Sequence, residues 1–583
     1  MIGNQSFQRK VIYAALIVVL LVPISLISRP ASRQADGTIG GGGQLARMQT
    51  KYSLSMADLG EIDPTSESMK LATLGMRGIA ANLLWGRANK FKREGDWDNL
   101  AATLRQISKL QPRFISVWQF QGWNLAYNVS VEFDDYRTRY LWVKKGINFL
   151  QEGVTYNEHE PVLFWELGWT FGHKLGRADE KVQYRRLFRK DDDFHSELAK
   201  EVPMDVTLGP DNRPDNWLVG RQWFLRGQEK VDSGVPIRGK LIDETRRLKR
   251  GKTPLIFHSH PPKWLMSYAS AIEQEGYLGE PAQIAWRDAG ISWNEYGNRE
   301  LGSTRGFTIR LNDVETLQPE VDRVKAEFER FVGNIMKTIL EEKRAGLPEA
   351  DRIALETPPA SRTEEQISMA ASAQKKLEVT YEEAAQRAPQ KVRAQTIRMA
   401  RRLQRLEDRI EAADINRQQV AYTYWQFRCA VEQTDTAIAA HRHVYNADNA
   451  MAKADLETMK AEYELAWEKW GEIFEQYPML IETPDAEDLY EAINRYRDVM
   501  KKMDEEFPPP GFKLEPIVEF YDEDYVPVAK RKNFGKDGSA ETNATETGDS
   551  SEATSEDSTD DTTPQASDED DEPEDDPGFE IPD

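Results

Sequence analysis

Cysteine is nearly absent. The single Cys429 among 583 residues excludes an intramolecular disulfide and a cysteine-based zinc site, and it leaves the redox compartment open. Histidine is scarce too, and the 7 copies form only two close pairs, His258-x-His260 and His441-x-His443. Residues two apart on a helix point to different faces, which makes His441 and His443 poor co-ligands. His258 and His260 could ligate together from an extended segment, but Pro261-Pro262 reads as a turn there, so no metal site is expected. Asp191-Asp192-Asp193 beside His195 lacks the alternating oxygen ligands and the turn glycine of a calcium loop. Walker-type phosphate loops, a Rossmann glycine fingerprint, G-x-S-x-G and H-E-x-x-H are all missing, so neither a cofactor nor a catalytic residue is expected. Outside the C-terminal tail, basic and acidic residues are interleaved, without the Lys/Arg excess that nucleic-acid binding would need.

What is present is charge, apolar residues and aromatics in distinct places. The formal net charge of -22 belongs to the tail: from Asp537 to Asp583 there are 19 Asp and Glu and no Lys or Arg, leaving about -3 on everything before it. Val11 to Ile27 carries no charge, and 12 of its 17 residues are Val, Ile or Leu. As a helix, residues 11–28 would span roughly 27 Å, close to a bilayer's hydrocarbon core. Arg9 and Lys10 also fit the start of a cleaved signal peptide, but no small-x-small cleavage site follows. The expectation is a single transmembrane anchor, with the bulk of the chain extracytoplasmic.

Composition divides the rest. Residues 1–30 are the anchor, 31–65 a flexible Gly-rich linker, 66–190 a helical and aromatic region, and 191–315 an irregular helical region in which Trp264 to Gly276 and Pro281 to Gly297 read as helices. Residues 316–415 are long charged helices with a narrow apolar stripe through Val321, Val324, Phe328, Phe331, Ile335 and Ile339, and a second through Leu403, Leu406 and Ile410. They suit a helical hairpin or coiled coil, through which two copies could pair as a homo-oligomer. Residues 416–510 return to aromatic hairpins, with Leu456 to Tyr477 the clearest helix. An extended segment (511–532) and a disordered acidic tail (533–583) complete an all-α reading.

Within 66–190 the chain repeats itself. Leu84, Ala88 and Phe91, the turn at Gly95-Asp96, then Leu100, Leu104, Ile107 and the stop at Pro112 resemble one tetratricopeptide repeat. About 34 residues on, Trp118, Gly122 and Leu125 restate the large-small-large spacing. Leu167-Gly168-x-x-Phe171 after Pro161 suggests a third copy with Lys174-Leu175-Gly176-Arg177 as its turn, and 128–140 reads as an insertion in the second. The resemblance implies stacked α-hairpins, a concave surface and a role in holding a protein partner. Joined to the anchor, it implies a bacterial membrane scaffold without catalysis. Partner-binding candidates on or beside the first helices are Arg87, Asn89, Lys92, Asn124 and Lys174.

Two alternatives stay open. One is a carbohydrate-binding protein or glycosidase, since a glycosidase needs only two placed carboxylates and Trp85, Trp97, Trp118, Trp123, Trp142, Trp165 and Trp169 could line a sugar groove; core packing is the reading favoured for these tryptophans. The other is a structural spacer or dimer built on the charged helices. Asn128-Val129-Ser130 matches a glycosylation acceptor.

Overall fold

Proline and glycine punctuate a chain whose apolar residues otherwise recur at helical spacing, and the computed structural model follows that punctuation. It describes residues 77–237, 253–303 and 305–527, together with Val19 and a short strand pair, β1 (Ser32–Arg33) and β2 (Ile39–Gly40). In chain order the first helices are α1 (Arg77–Glu94), α2 (Trp97–Leu110), α3 (Ile115–Trp123), α4 (Tyr136–Tyr156) and α5 (Pro161–Trp169). Then come α6 (Lys181–Arg189), α7 (Asp192–Leu198), α8 (Asn216–Asp232), α9 (Pro254–Gln274) and α10 (Glu280–Gly297). After the pair β3 (Leu301–Gly302) and β4 (Thr308–Ile309) follow α11 (Asp313–Ala345), α12 (Glu349–Glu356), α13 (Glu364–Leu377), α14 (Tyr381–Gln386) and α15 (Gln390–Gln419). The last are α16 (Tyr422–Glu432), α17 (Asp435–Met451), α18 (Leu456–Gln476), α19 (Pro484–Lys502) and α20 (Glu515–Tyr521). Among the described residues 77% are helical and 1% lie in strands, and the fold is all-α.

The expected transmembrane helix and single-pass membrane location are corrected. No helix among the described residues is long and apolar enough to cross a membrane. Residues 11–28, where the span was expected, lie outside the described residues apart from Val19. The extracytoplasmic placement rested on that span and goes with it. The linker, apart from its two short strands, and the acidic tail also lie outside the described residues.

The chain divides into two units that do not follow chain order: Met1–His159 with Arg177–Leu187 and Asp435–Asp583, and Glu160–Gly176 with Phe188–Thr434. In the first, Gly95 takes φ +68°, a conformation that costs a residue without Cβ little, and ends α1. Asp96 then caps α2 through the Asn99 amide at 3.2 Å. Leu100, Leu104 and Ile107 of α2 are buried with Ala88 of α1, as the repeat pattern requires. Pro112 stops α2, and its carbonyl accepts from Trp118 Nε1 and from Asn157 Nδ2, both at 2.8 Å. Helix α3 runs directly into π-helical Asn124–Val129, and α4 returns with Asp135 as its cap at 3.1 Å from the Thr138 amide. The insertion expected over 128–140 is thus a continued helix and a short turn. Helices α17 and α18 form another hairpin, with Met459, Tyr463, Ala466, Trp467, Trp470 and Phe474 buried along α18. Helix α20 lies where an extended segment was expected.

In the second unit α5 continues as π-helical Thr170–Lys174. The turn expected over 174–177 comes later, over 177–180: Gly176 is still helical, and a Cβ there would meet the Trp217 ring at 2.4 Å. The partner of α5 is α8, not the helix that follows it in sequence. Arg189 secures the start of α8, bonding to Asp215 at 3.0 Å and to Glu275 at 2.6 Å, while Asp215 caps the Trp217 amide at 2.9 Å. Helix α9 packs on α8 and on α10, and α10 packs on α16. Pro261 and Pro262, expected to make a turn, lie inside α9. The long helices α11 and α15 run antiparallel, with Arg409 on Asp313 at 2.8 Å and Arg402 on Glu320. Their seam is filled from within the chain, Val321, Val324, Phe328 and Ile339 packing with Ala400, Leu403 and Leu406.

Candidate functional site

The five residues singled out by the repeat pattern do not assemble into one surface. Arg87 is exposed on α1, and Asn89 and Lys92 are half-buried on the same helix. Lys92 reaches α3, its Nζ 5.4 Å from the centre of the Phe120 ring. Asn124 is fully buried at the first position of the π-helix, its Oδ1 accepting from Asn128 Nδ2 at 3.1 Å. Lys174 is buried at the end of the other π-helix, in the second unit. Asn124 and Lys174 therefore present no surface to a partner. In the acceptor sequence Asn128 is half-buried, and Ser130 is buried and bonded to the Ala126 carbonyl at 2.6 Å.

The groups weighed for chemistry are dispersed in the same way. His258 and His260 lie on α9 and take different neighbours: His260 Nδ1 is 2.8 Å from the Ile256 carbonyl, and His258 Nε2 is 3.9 Å from Asp232. Burial, reinforced by Arg299, pushes His258 down to about 4, so it is neutral at pH 7. His441 meets the edge of Trp470, while His443 Nδ1 is 2.7 Å from Glu462. Asp191 is the N-cap of α7, and burial lowers the neighbouring His195. Burial pushes the Cys429 thiol up to about 12, so it packs as a small apolar group. None of the seven tryptophans considered for a sugar groove is exposed, and Trp118 and Trp165 are buried outright.

The second unit instead holds an open groove of about 680 Å³, between α8, α9, α10 and the loop that carries Val206 to Pro210. Helix α10 has two apolar faces. Ala285, Trp286, Ala289, Trp293 and Tyr296 face the core. Ile284 and Ile291 lie off that stripe and stay 38% and 53% exposed, opposite exposed Val206 and Leu208. Glu280, Asp288 and Glu295 share the groove-lining face of α10, and among the described residues no hydrogen bond or ion pair engages their carboxylates. Across from them stands Arg221 of α8, half-buried, with no hydrogen-bond partner on its Nε. Burial lowers its pKa, and the charges of Glu295 and Asp288 act against that without touching it.

Sequence reasoning missed this site because its parts come from three helices and a loop. One signal was available: isoleucines off the core stripe of a helix, alternating with acids at steps of three and four. No family model matches this chain, and no curated protein matches it either.

Proposed function

We propose that this chain is a tetratricopeptide-like helical scaffold that binds another protein, without catalysis of its own. The observation that carries the reading is the groove on α10, where exposed Ile284, Ile291, Val206 and Leu208 share one opening with unpaired charges. Exposed apolar side chains clustered beside polar ones mark surfaces that another molecule covers. The α1–α2 and α3–α4 hairpins support the repeat likeness: Ala88 of α1 packs with Leu100, Leu104 and Ile107 of α2, and a Cβ on Gly146 of α4 would lie 2.6 Å from the Gly122 carbonyl of α3. Neither the buried tryptophans nor the groove lining, which contains no tryptophan, favours stacking on sugar rings.

The test is photo-crosslinking in the native cell, with benzoylphenylalanine in place of Ile291 in the full chain. A small set of protein adducts, lost when Ile284→Asp is added, is expected. Crosslinking to no protein, with glycan co-purifying, would replace this reading with the carbohydrate-binding one.

A further inference from the structure

The charges of the groove narrow the class of partner. Glu280, Asp288 and Glu295 are spaced by eight and seven residues on one helix, which places successive carboxylates about 12 and about 10 Å apart along the axis. Between them, Ile284 and Ile291 rise from the same face. Three carboxylates thus line an apolar groove against one guanidinium, and Arg287, exposed at the margin of the face, is not part of the lining. A single neutral apolar segment would cover these acids without pairing them, which costs more than leaving the groove open to water.

We infer that the groove takes an amphipathic helix from a partner protein, with leucine-type residues against Ile284 and Ile291 and Lys or Arg at seven- or eight-residue spacing against Glu280, Asp288 and Glu295. The inference rests on the protein-binding reading of the same groove and adds to it the sign and spacing of the partner's charges.

The probes are three dye-labelled designed helices of about four turns with the same leucine stripe and with Lys, Gln or Glu at the polar positions. They are titrated into the full chain by fluorescence anisotropy at low and moderate salt. The expected result is that the Lys helix binds about tenfold or more tighter than the Gln helix, that added salt narrows the gap, and that the Glu helix does not bind. Asp288→Asn with Glu295→Gln should remove the Lys preference. Ile291→Ser should weaken both the Lys and the Gln helix by about tenfold, while Ile353→Ser, at an exposed isoleucine of α12, should change neither.

If Lys and Gln helices bind equally and both need Ile291, the charge inference falls and the protein-binding reading stands. If binding of every helix is indifferent to Ile291 and Asp288, it reflects the acidic tail, and the groove fails as a docking site under both readings. If the Lys helix binds only after Arg246, Arg247, Lys249 and Arg250 are neutralised, the groove's occupant is the chain's own basic run, and the external partner is overturned.

Discussion

Two helical pairs in this chain are built around the same contact and joined in different ways. In the first unit α3 crosses α4 at Gly122 and Gly146, where a Cβ on Gly146 would lie 2.6 Å from the Gly122 carbonyl. In the second, α5 crosses α8 at Gly168 and Gly220, each Cβ position falling within 3 Å of the other's carbonyl. In both, Gly-Trp is followed at once by a π-helix, Asn124–Val129 in one and Thr170–Lys174 in the other. A π turn changes the pitch and releases a carbonyl from the helical ladder. In the second pair the Trp264 indole donates to the Gly168 carbonyl at 3.1 Å. The difference lies in connection. A short turn returns α4 to α3, whereas the partner of α5 arrives only after α6 and α7. A close crossing therefore needs glycine whatever the connection, but a distant partner needs further anchors, and Arg189 and Trp264 supply them.

The comparison breaks most visibly at Arg189. Arg189→Met takes the guanidinium away from the fully buried Asp215 carboxylate at the start of α8, and should cost the second unit about 3 to 5 kcal/mol in chemical denaturation. An unchanged midpoint would show that α8 is held by its glycine contact alone.

Acid should separate the pairs next. His258 has a folded-state value of about 4 against 6.5 for the unfolded chain, so the unfolded state binds the extra proton between those values. Stability of the second unit is fully supported above pH 6.5, declines as pH falls toward 4, and loses up to about 3 kcal/mol. Helices α3 and α4 contain no histidine and carry no such term. Hydrogen exchange of α9 amides at pH 7 and pH 4.5 reads the effect, and His258→Gln should flatten it.

Gly146→Ala and Gly220→Ala should each cost about 1 to 3 kcal/mol, because the added methyl meets backbone or a packed indole and not a yielding side chain. Tolerance of either would separate the two crossings. Gly86→Ala in α1, where nothing lies within 4 Å of the new methyl, should instead stabilise by up to about 1 kcal/mol. Arg87→Ala, exposed on the same helix, should move stability by no more than about 0.5 kcal/mol.

The glycines of the first helices were legible, because Gly122 and Gly168 occupy small-residue positions of a recurring pattern. Leu100, Leu104 and Ile107, the seam of α11 and α15, and the span of α18 were legible for the same reason, since burial writes a period into one helix at a time. The pairing of α5 with α8 was not, because it depends on contacts far apart in sequence. The π-helices leave no period to read. The groove escaped because Ile284 and Ile291 look like core residues until Trp286 and Trp293 are known to take that face.

Pro261 and Pro262 remove two amide donors from α9, which leaves the carbonyls of Phe257 and His258 without their usual partners in the next turn. The His258 carbonyl accepts from Gln228 Nε2 of α8 at 3.3 Å. Helix α9 is therefore completed by its neighbour's side chain, and loosening α8 withdraws the donor that the interrupted turn of α9 lacks.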